Sequence, residues 1–191
     1  MPRVFFTGDT HFGHRGIIED CGRPFKSDEE MDETLIENWN RQVGATDHVW
    51  HVGDFAWRNH LAYLKRLNGR IHLIVGNHDK MAAYARKEFA AVYELYDGRV
   101  TANPSDPRFF LIHYPMVSWP RKSQGTIHLY GHVHGRYDRP GDPAIDVGVD
   151  NRNFTLFPLD EVVSLVEYKV KNSEGNPLSA SKQQKDKTDA K

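Results

Sequence analysis

The chain has 191 residues, 39% of them hydrophobic, a size and composition that suit one domain around a single core. Its 25 lysine and arginine residues balance 26 aspartate and glutamate residues, so net charge gives no general attraction to nucleic acid or to an anionic membrane. A single cysteine, Cys21, excludes an internal disulfide. The start MPRVFFTGDTHFGH is polar, and no stretch of the chain approaches the roughly 18 consecutive apolar residues of a membrane span. We therefore expect a cytoplasmic protein with no membrane partner.

Short apolar runs, each followed by glycine or a polar residue, are the predicted strands. Runs of about four to six residues rich in valine, isoleucine and aromatic residues are typical of buried strands. In chain order they are RVFFT before Gly8, HVWHV before Gly53, IHLIV before Gly76, FFLI before His113 and IHLY before Gly131. Further strands are predicted at 145–149 and, from its alternating pattern, in the segment LVEYKV at 165–170.

Helices are predicted between the strands. The segment SDEEMDETLIENWNRQV begins with Ser27, and Glu30 follows at the capping-box spacing. Its apolar residues recur every four positions and so share one helix face. Two shorter helices are predicted in RNHLAYLKRLNG, closed by Gly69, and in KMAAYARKEF after Asp79.

This order of elements predicts an α/β fold. Strands alternate with helices in the first half and follow one another in the second, which favours a mixed sheet, or two packed sheets with helices outside, over a purely parallel sheet. We expect one domain over 1–170. The segment 171–191 has one leucine and no aromatic residue, so we expect a disordered tail there.

Five of the predicted strands end in groups that can bind a metal or a phosphate. Open α/β sheets bind ligands outside the carboxyl ends of their strands. In extended backbone, residues two apart point to the same side, so Asp9 with His11, and His132 with His134, should each direct two side chains into one space. The glycines before these groups fit sharp turns or a close approach of the backbone to a ligand. Seven donors exceed what one ion needs and predict two divalent ions about 3.5 to 4 Å apart, with Asp54 as the natural bridge.

The ordered series D-x-H, G-D, G-N-H-D, H and G-H-x-H, from Asp9 to His134, resembles that of the calcineurin-like metallophosphoesterases, in the form of a short bacterial or phage-type member. The resemblance implies a four-layer sandwich of two packed mixed β-sheets flanked by helices, with a two-metal centre at the strand ends. It also implies the ligands: Asp9, His11 and His134 for one ion, Asn77, His113 and His132 for the other, and Asp54 between them.

The resemblance further implies which residues act on the substrate. His78 would stand beside the scissile phosphate and protonate the leaving oxygen or stabilise charge, and Asp79 would hydrogen-bond its ring. An alternative for Asp79 is to cap the following helix. Asn77 and His14, which follows His11 by three residues, are candidate substrate-binding residues.

The donor types limit the metal. Imidazole with carboxylate and amide oxygen, and no thiolate, suits Mn²⁺, Fe²⁺, Co²⁺, Ni²⁺ or Zn²⁺ better than a pure Ca²⁺ or Mg²⁺ cage, and the family favours Mn²⁺. Purple acid phosphatases, which are distant relatives, have a tyrosine ligand three residues after the G-D aspartate. Trp57 stands at that position here, so we expect no ferric-tyrosinate centre.

A two-metal centre predicts hydrolysis of a phosphate ester by a hydroxide that bridges the ions, without a covalent protein nucleophile. We expect a phosphodiesterase that acts on a small-molecule or nucleotide phosphoester, with nucleic acid ends as possible substrates. A phosphomonoesterase with the same centre and a catalytically silent binding scaffold are the alternatives. The sequence leaves open the oligomeric state and the roles of Arg15, Arg23, Trp57 and Arg58.

Overall fold

The structure, a computed structural model, describes residues 2–80 and 83–173. Its first sheet has five strands in the spatial order β4 (Ala91–Tyr93), β3 (Arg70–Ile74), β2 (His48–His51), β1 (Val4–Thr7) and β9 (Phe157–Pro158). The first four strands are parallel, and β9 runs antiparallel to β1.

The second sheet has four strands in the order β5 (Tyr96–Gly98), β6 (Phe109–Leu111), β7 (Ile127–Tyr130) and β8 (Ala144–Asp146). Strands β6, β7 and β8 are parallel, and β5 is antiparallel to β6. Both sheets are therefore mixed, and the prediction of two packed mixed sheets with flanking helices is confirmed.

The register brings the ends of the parallel strands to one level. Thr7 at the end of β1 pairs with His51 of β2, and His51 pairs with Leu73 of β3. In the second sheet Leu111 of β6 pairs with Leu129 of β7. The loops that follow these strands consequently emerge side by side, at the edge where the sequence places its polar groups.

The helices are α1 (Gly16–Cys21), α2 (Asp28–Gln42), α3 (His60–Leu64), α4 (Ala83–Arg86) and α5 (Leu159–Ser173). The start of α2 is as predicted, because the Ser27 hydroxyl accepts a hydrogen bond of 3.2 Å from the backbone N–H of Glu30. Its predicted apolar face is buried against the first sheet. None of the described helices has the length and apolar character needed to cross a bilayer.

Alternating side chains of the strands fill separate cores. Phe5 of β1 faces the layer of α1 and α2, whereas Phe6 faces the second sheet and packs against Phe109 at 5.0 Å between ring centroids. Helix α5 closes this inter-sheet core with Val162 and Val166. A smaller cluster around Trp119, next to a short 3₁₀ helix at Lys122–Gln124, covers the outer face of the second sheet.

Several predicted elements differ from the observed ones. LVEYKV is not a strand but part of α5, because the buried residues Val162 and Val166 recur at helical spacing while Leu165 and Tyr168 are exposed. Helix α5 also passes the predicted boundary at 170 and reaches Ser173, and the rest of the predicted tail lies outside the described residues.

Other boundaries are shorter than predicted. Helix α3 ends well before Gly69, and strand β8 ends at Asp146, where a 3₁₀ helix at Val149–Arg152 follows shortly. Helix α1 and strands β4, β5 and β9 had no prediction, and each has six residues or fewer. Elements of this length bury too few residues to show a clear period in the sequence.

Candidate metal centre

The loops after β1, β2, β6 and β7 bring two groups of metal-binding side chains together. The first group is Asp9, His11 and His134, and the second is Asp54, His113 and His132. One donor atom of each residue lies within 4.8 Å of the donor atoms of the others in its group. The Oδ1 atom of Asn77 lies 3.0 Å from the His113 Nε2 and 3.0 Å from the His132 Nδ1, so Asn77 joins the second group.

Asp54 lies between the two groups. Its Oδ2 atom is 3.5 Å from the Nε2 of His11 and 3.3 Å from the Nε2 of His113. Its other oxygen, Oδ1, accepts a hydrogen bond of 2.9 Å from the backbone N–H of His78. The carboxylate is thus fixed on one side while its second oxygen faces both groups.

The backbone reaches this arrangement through left-handed conformations. Five of the seven predicted ligands have positive φ angles: Asp9 (54°), His11 (52°), Asp54 (57°), His132 (71°) and His134 (49°). The prediction that extended backbone aligns residues two apart is therefore wrong. Although Asp9 and His11 share a group, His132 and His134 serve different groups. Aspartate and histidine adopt this conformation more readily than most residues, but at a cost of roughly 1 to 3 kcal/mol each, which the surrounding fold must offset.

Glycines allow the loops to pack against the donors. Gly53 has a φ of 91°, and a Cβ atom there would lie 2.3 Å from the His113 Nδ1. A Cβ at Gly76 would lie 2.3 Å from the Asp54 Oδ1. These two glycines match the predicted close approach, whereas a Cβ at Gly8 would make only ordinary contacts, the nearest at 3.5 Å.

The first group has the electrostatics of a cation site. Burial lowers the pKa of His11 to about 2, so its ring is neutral, and its Nε2 is buried without a hydrogen-bond partner. Burial raises the pKa of Asp9 to about 7, so its buried carboxylate favours a neighbouring positive charge. A free imidazole nitrogen beside a buried carboxylate fits a divalent transition metal.

The second group contains a coupled acid and base. Burial alone would lower the pKa of His113, but the hydrogen bond and charge of Asp54 outweigh it and raise the pKa to about 9. The pKa of Asp54 is lowered, because its bonds to His113 and His78 exceed the opposing effect of burial. A metal ion would replace the shared proton of this pair.

Comparison with known proteins identifies the family. The profile of the calcineurin-like phosphoesterase superfamily domain matches residues 3–147. The chain belongs to this superfamily. The superfamily binds divalent metals, and the two groups of donors are the candidate ligands in this phosphoesterase domain.

Three similar proteins extend the match beyond the motifs. The chain is 36% identical to an uncharacterized protein of Methanocaldococcus jannaschii, covering 87% of this chain and 93% of that protein. It is 33% identical to the gene 66 protein of Mycobacterium phage D29, covering 87% and 96%. A solved structure of an Aquifex aeolicus protein of unknown function is 25% identical, with a TM-score of 0.67 over 86% of this chain and 100% of that one.

Asp150, which was not among the residues predicted from the sequence, supports the first group of the phosphoesterase centre. Its Oδ2 accepts a hydrogen bond of 2.8 Å from the Nδ1 of His134, and Arg23, whose role was left open, binds both carboxylate oxygens. Burial would raise the pKa of Asp150, but His134 and Arg23 outweigh it and lower the pKa to about 2. One signal was present, since Gly148 and Asp150 follow strand β8 as glycine and an acid follow β1 and β2.

The structure corrects the expectation for Asp79. Its carboxylate does not bond the His78 ring but accepts backbone N–H groups of Asp54, Phe55 and Gly76, each at 2.8 Å. It therefore joins the loops after β2 and β3, and residues 81 and 82, between Asp79 and α4, lie outside the described residues. The physical reason is that Asp79 is buried beneath the loops, whereas the half-buried His78 ring lies on the open side.

Aromatic rings form the mouth of the phosphoesterase centre. The His14 ring stacks flat on Trp57, with 4.2 Å between centroids and 10° between planes, and its Nδ1 lies 3.2 Å from the Nδ1 of His11. Burial lowers the pKa of His14, as does the nearby His78. The His78 ring lies 5.4 Å from the His11 ring and 5.3 Å from the Trp57 ring. These residues can contact a phosphoester, but their roles stay predictions.

Proposed function

We propose that the chain is a phosphodiesterase with a dinuclear metal centre. The single observation that carries the proposal is the place of Asp54, whose Oδ2 lies within 3.5 Å of an imidazole nitrogen from each ligand group. A carboxylate shared by two sets of donors is the arrangement that holds two ions close together.

The proposed ligands divide between the two ions. The first ion would be held by Asp9, His11 and His134, and the second by Asn77, His113 and His132, with Asp54 shared. Mn²⁺ is the proposed metal, and Fe²⁺, Co²⁺, Ni²⁺ and Zn²⁺ suit the same donors. Such ions supply charge neutralisation at the phosphate and activation of water near neutral pH.

The residues at the mouth would bind and protonate the substrate. The backbone N–H of His78 bonds to Asp54, and its half-buried ring lies 5.4 Å from the His11 ring, where it can donate a proton to the leaving oxygen. Asn77 and His132 are exposed, which leaves the second group open to a phosphate oxygen. Neutral His14 lies on the same side and can contact the ester.

The mouth also favours a nucleotide or another aromatic phosphoester. Trp57 is 50% exposed although one face of its indole lies on His14. A flat base that stacks on an exposed indole gains roughly 1 to 3 kcal/mol. This supports a small nucleotide or a nucleic acid end as the substrate.

A paired assay tests the proposal. Metal-stripped protein is incubated with bis-p-nitrophenyl phosphate or p-nitrophenyl phosphate, and Mn²⁺, Ni²⁺, Zn²⁺ or Mg²⁺ is added in turn. We expect hydrolysis of the diester, highest with Mn²⁺ and absent without metal. Faster hydrolysis of the monoester would replace the proposal with a phosphomonoesterase, and inactivity on both with every metal would contradict an enzyme.

A further inference from the structure

Arg23 and Asp150 support the first ligand group: Arg23 bonds to the backbone of Asp9, and Asp150 bonds to the Nδ1 of His134. The guanidinium of Arg23 forms two hydrogen bonds of 2.8 Å, one to each oxygen of Asp150. It also donates to the backbone carbonyls of Asp9, at 2.6 Å, and Thr10, at 3.1 Å. Its side chain has no exposed surface, so this charge is fully committed to protein partners.

The contact to Asp150 decides which nitrogen of His134 is free. An ionised carboxylate can only accept hydrogen bonds, so at 2.8 Å the Nδ1 of His134 must carry the proton. In the neutral ring the lone pair then lies on Nε2, the nitrogen left to bind an ion. A carboxylate behind a metal-binding histidine also raises the basicity of the ring.

The contacts of Arg23 couple distant parts of the chain. The ion pair joins residues 127 positions apart and connects the segment between α1 and α2 to the segment after β8, while the bonds of Arg23 to the Asp9 and Thr10 carbonyls reach the loop after β1. Arg23 thus touches the main chain of one predicted ligand, Asp9, and the carboxylate that holds another, His134. A buried ion pair contributes little net stability and is costly to break from one side, so its main effect is to fix geometry.

We propose that Arg23 and Asp150 are positioning residues that set the tautomer of His134 and its distance from Asp9, and thereby the affinity of the first ion. This inference rests on the proposed two-metal function. It predicts an effect confined to one of the two ions, since the histidines of the second group bond instead to the carbonyl oxygen of Val52 and to Asn77.

The first test is the metal affinity of the Asp150→Asn variant, measured with Mn²⁺ by competition against a chelator. We expect one ion to bind about 10- to 100-fold more weakly and the other to change less than about twofold. Glu161→Gln is the matched control, because Arg152 binds both oxygens of Glu161 in the same bidentate way but away from the centre. The control should leave both ions unchanged. A folded Asp150→Asn variant with both affinities intact would overturn the proposal.

The second test is made on the wild-type protein, and its one variant serves only to assign the resonances of His134. In metal-free wild-type protein, ¹⁵N NMR of the histidine rings, with His134 assigned through a His134→Gln variant, should show the proton of the neutral ring on Nδ1. A proton on Nε2 would overturn the proposal. If the wild type binds fewer than two ions, the proposed function fails, and the NMR result still decides the role of Asp150.

Discussion

The two ligand groups differ in how the fold holds them. In the first group Asp9 and His11 are buried, and the pair of Arg23 and Asp150 fixes the group from behind. In the second group His113 is buried, whereas Asn77 and His132 are exposed. The first group is therefore enclosed by the fold, whereas the second is partly open at the surface.

Asp54 lies between the two groups, and we propose that both ions share it, so its replacement should have the largest effect. We expect Asp54→Ala to lose affinity for both ions by more than the roughly 10- to 100-fold typical of an outer partner, and to abolish turnover. Metal content per chain and activity are measured on the purified variant. Loss of one ion alone would show that the carboxylate belongs to a single group.

His78 should affect turnover without affecting the metals. Since we propose that its ring protonates the leaving group, His78→Ala should lower kcat by about 10²- to 10⁴-fold while two ions remain bound. The metal content of the same sample is the control. If metal is lost as well, His78 acts as a ligand or as a support of Asp54 through its backbone.

The difference in burial between the two ligand groups predicts that two Mn²⁺ ions bind in two separate steps. Ordering the exposed Asn77 and His132 costs about 0.5 to 1.5 kcal/mol each, so the second group should bind Mn²⁺ about tenfold more weakly than the first. His132→Ala should remove only the weaker step of a calorimetric titration, and His11→Ala the tighter one. A single step, or the reverse assignment, would contradict the comparison.

Replacement of Trp57 tests whether the base of a nucleotide substrate stacks on its indole. With p-nitrophenol as the common leaving group, Trp57→Ala should lower kcat/KM about tenfold for the p-nitrophenyl ester of thymidine 5′-phosphate and little for methyl p-nitrophenyl phosphate. Trp57→Phe, which keeps an aromatic face, is the control. Equal losses on both substrates would assign Trp57 a structural role.

The smallest expected effect concerns folding stability at acid pH, which depends on His128 and not on the metal ligands. Burial lowers the pKa of His128 to about 4, and its Nε2 accepts the N–H of Met116. The unfolded chain binds the proton first, so stability should fall as pH drops from about 6.5 to 4. In urea unfolding, His128→Asn should shrink the stability difference between pH 7 and pH 5 by about 1 to 2 kcal/mol. An unchanged difference would mean that His128 is not neutral in the fold.

Much of the centre was predictable because its residues follow the strands in a fixed order. Helix α2 was predictable from Ser27 and the four-residue spacing of its apolar face, which a long helix repeats. The segment at 165–170 was mispredicted because six residues cover fewer than two helical turns of about 3.6 residues each, too few to distinguish a helical repeat from alternation. Asp150 was missed although Gly148 precedes it, because its partner Arg23 is 127 positions away and the sequence does not show their contact. The left-handed backbone conformation of five ligands could not be predicted either, because it depends on how the loops after β1, β2 and β7 pack together.

The most direct test of the proposed dinuclear centre is anomalous diffraction from crystals of the protein soaked in Mn²⁺. A dinuclear centre predicts two peaks about 3.5 to 4 Å apart, one beside Asp9, His11 and His134 and one beside Asn77, His113 and His132, with Asp54 between them. No peak, a single peak, or two peaks without Asp54 between them would contradict it.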